Sequence, residues 1–156
     1  MISQNIKKIA FGIGSNLGDR KKNIELAINK LSQKLNLVDL KTSEFYANVA
    51  MLPNDASDDW NIEFLNVAVV AKIDLEVFQP LKILSEIKKV EKEIGRLERP
   101  KWAPREIDID ILAIEDLKFD DQKTLQIPHQ GLFVRDFFYK TFAQIDQKWL
   151  TTIKNQ

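Results

Sequence analysis

Trp102-Ala103-Pro104-Arg105-Glu106-Ile107-Asp108-Ile109-Asp110-Ile111-Leu112 reads as a rigid turn that runs straight into an alternating strand. Side chains on a strand change face with every residue, so Asp108 and Asp110 project from one face while Ile107, Ile109 and Ile111 project from the other. Neighbouring like charges cost energy until something neutralises them, and a hard divalent cation with oxygen ligands, Mg²⁺ above all, does this best. Just upstream, Arg96, Arg99, Lys101 and Arg105 crowd around Gly95, Pro100 and Pro104, a set of cationic donors suited to phosphate oxygens. Acids for a metal and arginines for phosphate point to phosphoryl chemistry on a nucleotide. An Asp-x-Asp on an edge strand also serves as a solvated face that resists aggregation, and the arginine cluster is what favours a site.

The chain has 156 residues with ordinary apolar content, which fits one domain over 1–156 with a real core and leaves little room for a second. Its 23 Lys and Arg cancel its 23 Asp and Glu, which argues against a broad polyanion-binding surface and makes any phosphate site local. Without cysteine there is no disulfide frame, zinc-thiolate site or thiol nucleophile. Met1 to Lys8 lacks a signal-peptide apolar region and no apolar run is long enough to span a bilayer, so a soluble, cytoplasmic protein is expected.

Ile6 to Ile13 is an apolar run that reads as a buried strand. The following Gly12-Ile13-Gly14-Ser15-Asn16-Leu17-Gly18-Asp19-Arg20 fails as a nucleotide loop: Leu17 stands where a dinucleotide fingerprint needs its third glycine, and no Gly-Lys-Ser/Thr follows. It reads instead as a tight strand-to-helix turn whose glycines supply unusual backbone angles. From Asp19, the spacing of Ile24, Ala27, Ile28, Leu31 and Leu35 predicts an amphipathic helix, and Leu37 to Tyr46 a strand for it to lie against. Asn48 to Asn61 has no periodicity and reads as a long polar loop of the kind that forms lids or binding loops, with Trp60 and Phe64 as packing residues near its end.

Phe64 to Ile73 reads as a central strand. Pro80 opens a helix with the stripe Leu81, Leu84, Ile87, Val90 and Ile94, closed by Gly95 as a left-handed cap. After the acidic strand Glu106 to Ile114, Leu117 to Ile127 reads as a small hairpin or edge strand ended by Pro128, and Arg135 to Ile145 as a short packing helix. Strand, helix, strand, strand, helix, strand is the α+β, ferredoxin-like βαββαβ plan: an antiparallel sheet with helices, here followed by a C-terminal hairpin and short helix. That plan hosts many functions.

Several runs then converge. Gly14-Ser15-Asn16-Leu17-Gly18-Asp19, Ser43-Glu44-Phe45-Tyr46, Phe64-Leu65-Asn66-Val67-Ala68, Gly95-Arg96, Pro104-Arg105-Glu106-Ile107-Asp108-Ile109-Asp110-Ile111-Leu112 and Ile127-Pro128-His129 resemble, in this order, the 6-hydroxymethyl-7,8-dihydropterin pyrophosphokinases of folate synthesis. The resemblance implies a ferredoxin-like enzyme that moves the β,γ-pyrophosphoryl group of ATP onto the hydroxymethyl oxygen of a reduced pterin and releases AMP. It implies two Mg²⁺ ions held by Asp108 and Asp110, with Arg96 and Arg105 as catalytic arginines on the phosphates. It places Lys88, Glu91, Arg99, Trp102, Ile111, His129 and Arg135 on the ATP side. Asn48, Phe64, Asn66 and Phe137 fall on the pterin side, the two phenylalanines as a sandwich and Asn66 reading the edge of the ring. His129 is implied as a phosphate contact, without general-base duty.

The chain departs from the family pattern at Lys88 and Gln130, which stand where glutamine and tyrosine or proline are common, and its long loop lacks a Pro-Pro-x-Gly signature. The partners implied are small molecules, with neither nucleic acid nor membrane, and family members are sometimes fused to dihydropteroate synthase. Two other classes compete. A metal-dependent phosphodiesterase or nuclease would use the same acids and arginines but wants a further metal carboxylate or base. A ferredoxin-like RNA-binding module would want a basic sheet face where Asp108 and Asp110 stand.

Overall fold

The structure, a computed structural model, describes residues 5–49 and 52–156. The readings that rest on Met1 to Gln4, and on Ala50 and Met51 of the long loop, lie outside the described residues. In chain order the elements are β1 (Ile6–Ser15), α1 (Arg20–Lys34), β2 (Val38–Thr42), β3 (Tyr46–Asn48), β4 (Phe64–Asp74), α2 (Pro80–Ile94), β5 (Asp108–Ile114), β6 (Phe119–Asp120), β7 (Gln126–Ile127) and α3 (Asp136–Lys154). The main sheet runs β2-β4-β1-β5 with every pair antiparallel, which is the ferredoxin-like strand order, and β3 follows β2 along the same edge of β4. β6 and β7 form the expected separate hairpin.

Two apolar layers sandwich the sheet. Ile9, Phe11, Ile13, Val67, Val69, Ile109 and Ile111 face α1 and α2, while Ala10, Ala68, Val70, Leu112 and Ala113 face α3 through its Phe138, Phe142, Trp149 and Leu150. Each fully buried large side chain, such as Phe11 or Ile24, contributes about 1.5–3 kcal/mol of transfer free energy. The register shifts between Ala10 and Phe11, and this irregularity lets both Leu112 and Ala113 join the α3 layer.

The structure revises four sequence readings. The strand expected over Leu37 to Tyr46 is two strands, because Ser43 turns its hydroxyl into the ladder and accepts the Ala68 amide at 2.9 Å. In α2 the buried apolar residues are Pro80, Ile83, Ile87 and Val90, with Leu81 exposed and Leu84 half-buried, so the expected stripe holds at Ile87 and Val90 while Pro80 and Ile83 carry its first turn. Gly12 and Gly14 are regular strand residues; of the glycines in that run only Gly18, at φ +75°, uses the left-handed region. Finally α3 continues to Lys154. Asp146 breaks its backbone at φ −150° and ψ 74°, then accepts the Trp149 amide at 3.0 Å and so caps a second helical segment.

Candidate active site

The strand register builds the site. Tyr46, Asn66, Gly14 and Asp108 stand opposite one another across β3, β4, β1 and β5, and one step along the same face Ala68, Gly12 and Asp110 do the same across β4, β1 and β5. Paired residues share a face, so an amide on one side of the row and two carboxylates on the other look across a strip of glycine. A Cβ on Gly14 would stand 2.8 Å from Asn66 Oδ1, and one on Gly12 would stand 2.9 Å from the ring of Phe138. These glycines are where bare backbone forms the floor of a cavity of about 280 Å³, whose walls include Asn48, Phe64, Asn66, Phe137, Asp108 and Asp110.

Hydrogen bonds fix what the walls present. Asn66 Nδ2 donates to the Tyr46 carbonyl at 3.0 Å and to Asn48 Oδ1, which leaves Asn66 Oδ1 over Gly14 as the acceptor offered to a ligand. On the opposite wall Asp108 Oδ1 receives Arg96 Nη1 at 3.4 Å and Arg105 Nη1 at 3.5 Å. Desolvation in that wall pushes the Asp108 carboxyl up to about 6, and Asp110 adds to the rise, while Arg105 and Arg96 oppose it. His129 accepts the Gly131 amide on Nδ1 at 2.9 Å, so its ring proton sits on Nε2, which faces Asp110 at 3.6 Å. Asp108 and Asp110 also line a second, polar cleft with His129, Lys88 and the β6–β7 turn, so the acid pair separates an aromatic cavity from a polar one.

A protein-family model described as 7,8-dihydro-6-hydroxymethylpterin-pyrophosphokinase (HPPK) matches residues 10–147. The chain belongs to the HPPK family. It is 42% identical over 142 residues to the 2-amino-4-hydroxy-6-hydroxymethyldihydropteridine pyrophosphokinase of Aquifex aeolicus, covering 88% of this chain and 79% of that protein. It is 34% identical over 125 residues to the protein of the same name from Haemophilus influenzae, covering 80% and 72%. The folate synthesis bifunctional protein of Chlamydia muridarum is 30% identical over 88% of this chain, which spans 30% of that longer polypeptide. Among solved structures, Plasmodium falciparum HPPK-DHPS aligns with a TM-score of 0.63 at 16% identity, over 89% of this chain and 39% of that one, and the likeness is one of fold.

Against the residues expected from HPPK resemblance, the cavity brings together all four pterin-side residues, Asn48, Phe64, Asn66 and Phe137, with both aspartates and Arg105. Arg96 joins them through Asp108. Trp102 and Arg135, expected on the nucleotide side, line this same aromatic cavity beside the aspartates and not the polar cleft. Glu91 is buried and occupied: it accepts Arg96 Nη1 at 2.7 Å, the Ile109 amide at 2.9 Å and Lys88 Nζ at 3.3 Å. It therefore holds an arginine in place. Ile111 has its side chain in the core, 3% exposed. Because the Ile109 amide leaves the free edge of β5 toward Glu91, strand alternation puts the backbone of Ile111 on that edge too.

Arg99 is held in a two-point pair with Glu106, Nη1 to Oε1 at 2.5 Å and Nη2 to Oε2 at 2.8 Å, on the wall of a third, cationic cleft with Arg96 and Arg105. Among the described residues no three His, Cys, Asp or Glu side chains are grouped to hold an ion, and no helix is long and apolar enough to cross a membrane. One residue of the site had no role in the sequence reading. Asn16, 2% exposed, accepts the Arg105 amide on Oδ1 at 2.9 Å and donates Nδ2 to the Ile62 carbonyl at 3.2 Å, so it ties the arginine segment to the end of the long loop. A polar residue in a glycine-rich run was visible, but its partners lie 89 and 46 residues away.

Proposed function

We propose that this chain transfers the β,γ-pyrophosphoryl group of ATP to the hydroxymethyl oxygen of 6-hydroxymethyl-7,8-dihydropterin, giving the pterin diphosphate and AMP for folate synthesis. The observation that carries this reading is the acid pair in the wall between an aromatic cavity and a polar cleft, where two substrates meet at one charged boundary. In the cavity, Phe64 and Phe137 offer faces for a flat heterocycle, and Asn66 Oδ1 accepts from the N–H groups on its edge; a ring without those donors leaves the buried oxygen unpaired. In the cleft, the free edge of β5 at Ile111 offers backbone groups to a base, and His129 and Lys88 offer donors to phosphate.

Two carboxylates that share one face, with Asp108 raised by burial and then by its neighbour, fit Mg²⁺, which binds through one or two carboxylates and completes its shell with phosphate oxygens and water. Bound by Asp108 and Asp110, it would neutralise phosphate charge and orient the hydroxyl in line with the β-phosphorus. Arg96 and Arg105 hold the phosphates from the same side, and Glu91 holds Arg96. The pterin hydroxyl gives up its proton to solvent as its oxygen bonds to the β-phosphorus, the bond from that phosphorus to the α–β bridging oxygen breaks, and AMP leaves with the electron pair.

We read residues 1–156 as a single pterin pyrophosphokinase domain working in the cytoplasm, beside or fused to dihydropteroate synthase as bifunctional relatives are. The test is AMP formation from ATP in the purified protein. AMP is expected only when Mg²⁺ and the reduced pterin are both present; folded protein that forms none in the full mixture overturns the reading.

A further inference from the structure

Tyr46 touches both halves of the aromatic cavity without lining it. Its carbonyl accepts Asn66 Nδ2 at 3.0 Å, which fixes the amide so that Oδ1 faces the cavity. Its hydroxyl donates to Asp136 Oδ2 at 2.8 Å, across 90 residues of chain. Asp136 is the first residue of α3, directly before Phe137, whose ring lines the cavity, and directly after Arg135, which lines it too.

The pair is placed to control rotation of that first helical turn. Phe138 is pinned beneath it, 4% exposed, with its ring close over Gly12 and edge-on to His129 at 5.0 Å between centroids. Phe138 and, one turn on, the buried Phe142 hold the body of the helix, and Asp136 lies at its outer end. Among the described residues, side-chain partners for Asp136 come from Tyr46 and from Lys140 at 3.9 Å, and Lys140 lies on α3 itself, so among them Tyr46 is the one that ties the turn to the sheet through this carboxylate. A carboxylate in the first turn of a helix is further favoured by the helix dipole.

We propose that Tyr46 is a positioning residue for pterin, setting through Asp136 the distance between the stacking ring of Phe137 and the edge-reading oxygen of Asn66. This rests on the pterin reading of the cavity. Removing the hydroxyl by Tyr46→Phe keeps the ring, the carbonyl and the contact of Lys140 Nζ with the ring face at 5.8 Å, so the fold survives. It leaves Asn66 held while the turn bearing Phe137 loosens.

The experiment measures binding of 6-hydroxymethyl-7,8-dihydropterin and of a non-hydrolysable ATP analogue, separately, to wild type, Y46F, D136N and the double variant. Y46F is expected to weaken pterin binding about tenfold, the scale of one hydrogen bond to a charged acceptor, with nucleotide affinity within about twofold of wild type. D136N should lose less, since an amide oxygen still accepts, and the double variant should match Y46F, as two ends of one interaction do. Equal pterin binding by wild type and Y46F, or equal losses for both ligands, overturns the positioning role alone. A wild-type protein that binds no pterin overturns the pterin reading together with it.

Discussion

A side-chain carbon on Gly14 would sit 2.8 Å from Asn66 Oδ1, well inside contact distance. The neighbour cannot give way cheaply, because moving that oxygen also pulls Nδ2 from the Tyr46 carbonyl and from Asn48. Gly14→Ala is therefore expected to lower pterin affinity by about tenfold or more, while nucleotide binding and the far-ultraviolet spectrum stay near wild type. Calorimetry with the two ligands separately checks this, and unchanged pterin affinity would show that the amide is not the recognising group.

Asp108 and Asp110 oppose each other until a cation arrives. The folded-state value of Asp108, about 6, lies above the ordinary 3.8, so between these limits the folded chain holds the proton that the unfolded chain has released. Stability from this group is therefore present in acid and lost as pH rises through about 6. Asp108→Asn is expected to melt several degrees higher than wild type at neutral pH in chelator, with the advantage vanishing below the ordinary carboxylate range. The same variant should lose about 10²-fold or more in turnover. A variant that is both less stable at neutral pH and fully active contradicts the metal-pair reading.

Much of this was legible in the chain because strand alternation is a local rule: Asp108 with Asp110, and Phe64 with Asn66, share faces at a spacing of two. Strand order followed from element order. The supports of the site were not legible, since the Ile109 amide finds Glu91 and the Arg105 amide finds Asn16 only after the sheet and α2 have packed. The second half of α3 is a different case. The backbone breaks at Asp146, yet Trp149 and Ile153 continue the helical spacing of Phe138, Phe142 and Ile145, so the apolar stripe past Ile145 was there to be read and only the break was not.

Arg99 and Glu106 hold each other at two points, which raises the guanidinium and lowers the carboxyl, each chiefly through that hydrogen bond. For Arg99 to reach a triphosphate it must leave Glu106. Glu106→Gln removes the competing charge and is expected to lower the KM for ATP about threefold at an unchanged KM for pterin. Because the carboxyl is depressed, the pair's contribution to stability is present above the ordinary 4.5 and fades as pH falls through the lower folded value, so the variant should be less stable than wild type only at the higher pH. A KM for ATP that stays or rises assigns Arg99 to holding its own segment.

Asn16 serves two segments with the two ends of one amide, and substitutions can separate them. Asn16→Ala orphans both the Arg105 amide and the Ile62 carbonyl, at about 1–3 kcal/mol each where they remain buried, and should impair both substrates as well as thermal stability. Asn16→Asp keeps an acceptor for Arg105 and loses the donor to Ile62. With the arginine segment still tied and the end of the 52–63 loop released, pterin binding should fall several-fold more than nucleotide binding, because Phe64 begins two residues beyond Ile62. Equal losses for both ligands in Asn16→Asp would mean that the two segments move as one unit, with Asn16 as a packing residue between them.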